Sequence, residues 1–152
     1  MTALTMYSKK RIAIVAQENQ KTELIEWSYS NRKILEQQTI TATGGSAHIL
    51  EGTLNMPVVK LPGVNFDGIQ ELEKMIQEKE IDVLVFFPNI NEQLATDDKV
   101  QSLLTIAAEQ NLLIAFNMTT ADLFLQSLVL SKDYTVGQNG YDIEIATLRG
   151  IS

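Results

Sequence analysis

The sequence contains no cysteine, and this absence removes three kinds of chemistry. Disulfide bonds, thiolate metal sites and cysteine nucleophiles are all excluded. There is also a single histidine, His48, which has no second histidine with which to share a metal ion. We therefore predict no metal site, and we expect His48 to face solvent or to lie beside a helix cap.

Long apolar runs are missing as well. The longest, Val83–Phe87 and Leu112–Phe116, are too short to span a bilayer. The first residues, MTALTMYSKKR, lack the apolar core of a signal peptide. We therefore expect a cytoplasmic protein without a membrane partner.

Positive charge is in the minority. The chain has 12 lysines and arginines against 19 aspartates and glutamates, which gives a formal net charge of −7. An acidic surface repels nucleic-acid phosphates, so we expect no nucleic-acid partner. The acidity does not exclude a small phosphorylated ligand, because such a site needs only a local positive potential.

The apolar segments that are present predict one α/β domain. At 152 residues the chain is long enough to bury a single core. Continuous apolar character favours parallel strands that are covered on both faces. Four such strands are predicted, at Ile12–Ala16, Met56–Leu61, Ile81–Phe87 and Leu112–Phe116. A fifth and more polar strand, Thr39–Ala42, is expected near an edge of the sheet.

Helical spacing fills the intervals between these strands. Apolar residues three and four apart predict one helix around Ile69–Ile76 and another around Val100–Ala107, and residues 20–35 predict a weaker one. The charged residues of the first of these helices are expected to form a solvated face: Glu71, Glu73, Lys74, Glu78 and Lys79.

The alternation of strands and helices predicts an open, parallel, five-stranded sheet flanked by helices. It forms a single domain over residues 1–152, with its core in residues 11–128. The tail, residues 129–152, breaks the alternation, and the pattern does not place it.

The stretch Thr43-Gly44-Gly45-Ser46 comes directly after the second predicted strand. In open α/β sheets, ligands bind beyond the carboxyl ends of the strands. Glycines let the backbone approach a ligand closely, and the first amides of a following helix point toward it. Many such turns carry a capping Ser or Thr and hold no ligand. The residues alone leave both interpretations open, an oxyanion site or a simple turn.

Four segments, IAIVAQENQK, TATGGSAHIL, KEIDVLVFF and AFNMTTAD, resemble the methylglyoxal-synthase-like domain family in order and spacing. The resemblance runs from Arg11 to Gln126. It implies a five-stranded parallel sheet and assembly into a homo-oligomer, a hexamer in the synthase. It also implies conversion of dihydroxyacetone phosphate to methylglyoxal and inorganic phosphate, with no metal or organic cofactor.

The resemblance further implies a phosphate site. The residues of this chain that it places there are Lys21, Thr43, Gly44, Gly45, Ser46, Gly63, Asn117, Thr119 and Arg149. The partner that follows from it is a small phosphorylated metabolite or inorganic phosphate.

The catalytic groups of the family match less well. Gln17 stands where the synthase has a histidine, Asn89 where it has an aspartate, and Thr96 where it has a second histidine. None of these three side chains titrates in the useful range, and the loss of a positioned acid or base costs about 100- to 10,000-fold in rate. Asp67 remains as a candidate general base, provided that the alignment shifts by two residues.

The residues leave three functions open. We favour a protein that binds a metabolite of the dihydroxyacetone phosphate class and whose synthase activity is weak or lost. In the first alternative the chain is an active synthase, with Asp67 as the base and Glu18 in place of a histidine. The second is a regulatory domain that senses a nucleotide or sugar phosphate, as the related domain of carbamoyl-phosphate synthetase does.

Overall fold

A computed structural model describes residues 10–61, 66–88 and 98–126 of the chain. All five predicted strands are present there in one sheet of order β3-β2-β1-β4-β5, and every neighbouring pair is parallel. The strands are β1 (Arg11–Ala16), β2 (Thr39–Thr43), β3 (Val59–Leu61), β4 (Val83–Phe87) and β5 (Leu113–Ala115). The predicted fold class is therefore confirmed, whereas the tail, residues 129–152, lies outside the described residues.

Helices join the strands in the predicted alternation. They are α1 (Lys21–Ser30), α2 (Arg32–Leu35), α3 (Gly44–Leu54), α4 (Phe66–Gln77), α5 (Asp98–Glu109) and α6 (Met118–Gln126). A single turn of 3-10 helix, Glu18–Gln20, precedes α1. The weaker helix predicted over residues 20–35 is present, but it breaks at Asn31 into α1 and α2.

The side chains of each strand alternate between two cores. In β1, Ile12 and Ile14 pack on one face of the sheet, while Ala13 and Val15 pack on the other. The first face is covered by α1, α2, α3 and α6, which contribute Leu24, Trp27, Leu35, Leu50, Leu54, Ala121 and Leu125. The second is covered by α4 and α5, which contribute Leu72, Ile76, Val100 and Leu103. Helices on both faces explain why the interior strand β4 is apolar along its whole length.

Trp27 fixes α1 against the centre of the sheet. Its indole is 2% exposed and meets the ring of Phe87, the last residue of β4, at 5.5 Å between centroids and an interplanar angle of 83°. Such an edge-to-face pair contributes about 0.5–1.5 kcal/mol beyond the area it buries. The contact places the second half of α1 against the carboxyl end of β4.

The second strand lies next to the edge strand β3, in agreement with the expectation that it is near an edge, but it is more buried than its threonines suggest. β2 pairs with β1 on one side and with β3 on the other, and the edges are β3 and β5. Thr41 and Thr43 are 3% and 2% exposed. Threonine is β-branched and suits a strand, but its hydroxyl made this segment look more exposed than it is.

One residue of the predicted solvated face of α4 is also placed differently. Glu71, Lys74 and Glu78 are exposed as expected, but Glu73 is partly buried. Its Oε2 atom is buried and has no hydrogen-bond partner among the described residues. The solvated face of α4 is therefore narrower than the charge pattern predicts.

Lys79 ends α4 in the left-handed region, with φ 60°. A side chain there costs about 1–2 kcal/mol, whereas glycine reaches this conformation without strain. We expect Lys79→Gly to raise the free energy of unfolding by about 0.5–1 kcal/mol after the greater entropy of glycine in the unfolded chain is deducted. Urea denaturation measures the change.

Lys79→Ala is the matched control. Both variants lose the exposed hydrogen bond from Lys79 Nζ to Gln110 Oε1, 3.0 Å long. Only the glycine variant relieves the strain of the left-handed backbone conformation. Equal stability of the two variants would contradict the prediction.

Candidate functional site

The centre of the sheet contains a topological switch point. From β1 the chain moves outward to β2 and β3, whereas from β4 it moves the other way to β5. Ligands of open α/β sheets bind in the crevice that forms at such a point. The Gln17 N–H donates to the Phe87 carbonyl at 3.0 Å, so β1 and β4 stay joined to their carboxyl ends. The paired carboxyl ends of β1 and β4 therefore form the base of the crevice.

Lys21 and Ser46 meet above the end of β1. The Lys21 Nζ lies 3.2 Å from the Ala16 carbonyl oxygen and 3.4 Å from the Ser46 Oγ. The Ser46 Oγ also accepts a hydrogen bond from the Ala16 N–H at 3.2 Å and donates to the Ala16 carbonyl at 3.4 Å. These contacts bring an ammonium group to the first turn of α3.

The helix α3 begins at Gly44, immediately after β2 ends at Thr43, with no loop between them. Thr43 is extended, with φ −74° and ψ 159°, and its side chain makes no capping hydrogen bond. The first amides of a helix have no acceptor within the helix, and the helix dipole adds a partial positive charge there. Together with Lys21, the amides of Gly44 and Gly45 form an arrangement suited to an oxyanion.

Thr43 and Ser46 are buried as whole residues, main chain included. They are 2% and 0% exposed, respectively, and the Ser46 hydroxyl is engaged with Ala16. Gly45, in contrast, is exposed. The accessible amides at this helix start are therefore those of Gly44 and Gly45, while the Ser46 hydroxyl holds the first turn of α3 onto β1.

Asn117 and Thr119 lie at the same edge of the sheet but on another strand. They follow β5, which β4 separates from β1. Both are exposed, and the Asn117 Oδ1 accepts a hydrogen bond from the Thr120 N–H at 2.8 Å. Asn117 is therefore the N-cap of α6, and sequence reasoning did not anticipate this structural use of its side chain.

A contact between helices sets the position of α6, and sequence reasoning missed it. The Asn31 Nδ2 donates to the Asp122 Oδ1 and to the Trp27 carbonyl, both at 2.9 Å. Asn31 sits alone between two helical stretches and belongs to no periodic pattern, so only the fold brings it to Asp122.

Several predicted site residues lie outside the part of the chain that the structure describes. Gly63, Arg149, Asn89 and Thr96 lie outside the described residues, as do the side chains of Asp67 and Glu18. The backbone of Asp67 lies in the first turn of α4. The assignment of Asp67 as general base stays a prediction.

Two further observations concern the described residues only. His48 is exposed, as predicted. None of the helices within residues 10–61, 66–88 and 98–126 is both long and apolar enough to cross a bilayer.

Comparisons with known proteins give close relatives. A methylglyoxal synthase of Coxiella burnetii (strain RSA 493 / Nine Mile phase I) is 39% identical over 125 residues, which cover 82% of this chain and 87% of the relative. A methylglyoxal synthase of Yersinia enterocolitica is 32% identical over 142 residues, 93% of each chain. The crystal structure of methylglyoxal synthase from Elizabethkingia anophelis NUHP1 matches with a TM-score of 0.72 and 26% identity, over 81% of both chains. No protein-family model matches the chain.

Proposed function

Because the chain belongs to the methylglyoxal synthase family, we propose that it binds a metabolite of the dihydroxyacetone phosphate class at the carboxyl edge of its sheet. The observation that carries the proposal is the 3.4 Å contact between the Lys21 Nζ and the Ser46 Oγ. It puts a positive charge beside the first turn of α3, which has no side-chain cap. A phosphate group there can accept hydrogen bonds from both the ammonium group and the helix amides.

In this proposal the phosphate is held by Lys21 and by the amides of Gly44 and Gly45, while the buried residues Thr43 and Ser46 support the start of α3. The remaining contacts to the ligand are assigned to Gly63, Asn117, Thr119 and Arg149. These are proposals for residues that follow other strands or lie in the tail.

The reaction of the family makes specific demands on this site. A base removes a proton from the carbon beside the carbonyl, the electron pair forms an enediolate, and the carbon–oxygen bond to phosphate then breaks. Charge grows on the departing phosphate, so donors already aimed at it lower the barrier. We assign that role to Lys21 and the α3 amides, and the role of base to Asp67.

We further propose that turnover is weak. Gln17, Asn89 and Thr96 stand where the resemblance places two histidines and an aspartate. With no titrating group at those positions, the enediolate lacks a proton donor that would neutralise it. Each missing acid or base lowers the rate by about 100- to 10,000-fold.

A paired measurement tests both parts of the proposal. Methylglyoxal formed from dihydroxyacetone phosphate is assayed colorimetrically, with the Coxiella burnetii synthase as the reference, and phosphate binding is measured by calorimetry. We expect saturable binding of phosphate. We expect a rate of methylglyoxal formation at least 100-fold below that of the reference, which is the smallest effect of losing one acid or base. The Asp67→Ala variant should be slower still.

The alternative of a fully active synthase is favoured by the 39% identity to a curated synthase. A rate close to that of the reference, abolished by Asp67→Ala, would establish that alternative and overturn the proposed weak turnover. A chain that binds neither phosphate nor the triose phosphate would overturn the binding proposal itself.

A further inference from the structure

One hydrogen bond joins the two helices that carry candidate ligand residues at the carboxyl edge of the sheet. Lys21 lies in the first turn of α1, and Asn117 and Thr119 lie at the start of α6. The Asn31 Nδ2, at the end of α1, donates to the Asp122 Oδ1 of α6 at 2.9 Å. This contact therefore ties the placement of one set of candidate residues to that of the other.

Asn31 is fixed from the side of α1. Its Nδ2 also donates to the Trp27 carbonyl at 2.9 Å, and its main-chain N–H donates to the same carbonyl at 3.1 Å. Trp27 in turn is 2% exposed and packs edge-on against Phe87 at the end of β4. Both N–H groups of the Asn31 carboxamide thus have an acceptor, and the carboxamide holds Asp122 at a set distance from the sheet.

Asp122 determines where the start of α6 lies. It is partly buried, and a hydrogen bond that a carboxylate accepts is stronger than one between neutral groups. Asp122 follows Asn117 by less than two helical turns. The Asn117 Oδ1 caps the helix through the Thr120 N–H at 2.8 Å, and the Nδ2 of the same carboxamide carries two N–H groups that suit a carbonyl oxygen.

The spacing of the strands lets one small ligand reach both helix starts. Val85 is the partner of Ile14 on one side and of Ala115 on the other. Ala16 and Asn117, each two residues further along, therefore leave the sheet at about the same level. Neighbouring strands lie about 4.8 Å apart, so β5 is about 10 Å from β1. A triose phosphate with a hydrogen bond at each end spans such a gap.

We propose that Asn31 is a positioning residue for triose phosphate binding and that it acts through Asp122. The pair sets the distance between the ammonium group of Lys21, which holds the phosphate, and the Nδ2 of Asn117, which donates to the carbonyl oxygen of the same molecule. The inference rests on the proposed function, from which it takes both ligand contacts. It goes further in dividing the site into two parts, of which inorganic phosphate occupies only the first.

Calorimetry with two ligands tests the inference. The quantity compared between variants is the affinity for dihydroxyacetone phosphate divided by the affinity for inorganic phosphate. Asn31→Leu keeps the approximate size of the side chain but removes its donors. We expect it to lower this ratio about three- to tenfold, which corresponds to the loss of one neutral hydrogen bond to the ligand. The affinity for inorganic phosphate alone should stay within about twofold, since the first part of the site is not altered.

Two control variants separate positioning from a general loss of stability. In Asp122→Asn the new amide oxygen still accepts from the Asn31 Nδ2, so the ratio should stay within about twofold of that of the unmodified chain. Ser28→Ala removes the 2.8 Å hydrogen bond between Ser28 and Thr53, which joins α1 to α3, and it should also leave the ratio unchanged. A fall in the ratio for Ser28→Ala equal to that for Asn31→Leu would overturn the inference.

Asp122→Ala removes the same hydrogen bond from the side of α6, and it decides the matter if Asn31→Leu does not fold. It should lower the ratio as Asn31→Leu does. An unchanged ratio in either of these two variants, when folded, would overturn the inference.

The unmodified chain distinguishes failure of this inference from failure of the proposed function. If it binds neither ligand, the proposed function is overturned and the inference falls with it. If it binds the two ligands equally well, phosphate binding stands. In that case the inference alone is overturned, because the triose gains nothing from α6.

Discussion

Replacing Lys21 with methionine is expected to weaken the binding of inorganic phosphate about 10- to 100-fold. A hydrogen bond to a charged group contributes about 1.5–3 kcal/mol, and each 1.4 kcal/mol corresponds to about tenfold in affinity. Methionine keeps most of the length of the side chain but removes the ammonium that lies 3.4 Å from the Ser46 Oγ. Isothermal titration calorimetry at fixed ionic strength measures the change.

Lys33→Met serves as the control for Lys21→Met. Lys33 is exposed on α2, and its replacement changes the net charge by the same amount. We expect it to leave phosphate affinity within about twofold, since exposed charges are screened at distances beyond about 10 Å in 0.1 M salt. If both variants bind phosphate equally well, Lys21 is not part of the site.

Replacing Leu50 with alanine is expected to lower the free energy of unfolding by about 2–5 kcal/mol. Leu50 is 0% exposed and packs in the core that α1, α3 and α6 share with the sheet. The substitution leaves a cavity under α3, the helix whose first turn forms the candidate anion site. Urea denaturation monitored by circular dichroism gives the difference.

His48→Ala provides the comparison on the same helix. His48 is exposed, so its loss should change the stability by no more than about 0.5 kcal/mol. A Leu50→Ala variant as stable as His48→Ala would mean that α3 does not pack on the sheet as described.

The strands could be predicted because burial on both faces leaves a continuous apolar run, which Val83–Phe87 shows most clearly. Their lateral order was harder to predict, and β2 is the clearest example. A threonine in an interior strand and one in an edge strand look the same in sequence, since only the neighbours in the sheet decide how much of the hydroxyl is exposed. Glu73 illustrates the same limit for a helix, because only the folded structure decides that this residue is partly buried.

The candidate site was predictable to the extent that it depends on local chain geometry. A helix soon after the second strand follows from residue type, but no separate turn precedes it, because α3 already includes Gly44 and Gly45. The meeting of Lys21 with Ser46 depends on how α1 and α3 lie over β1. The carbonyl of Ala16, which holds both side chains, is a main-chain group that no sequence pattern marks.

Trp27 is the sole tryptophan of the chain, and it lies edge-on to Phe87 at the end of β4. Intrinsic fluorescence excited at the indole band therefore has one source, and that source sits beneath the crevice at the switch point. A change in its emission when phosphate is added would indicate a change in the packing beside the crevice. The molecule thus needs no attached dye for ligand titrations.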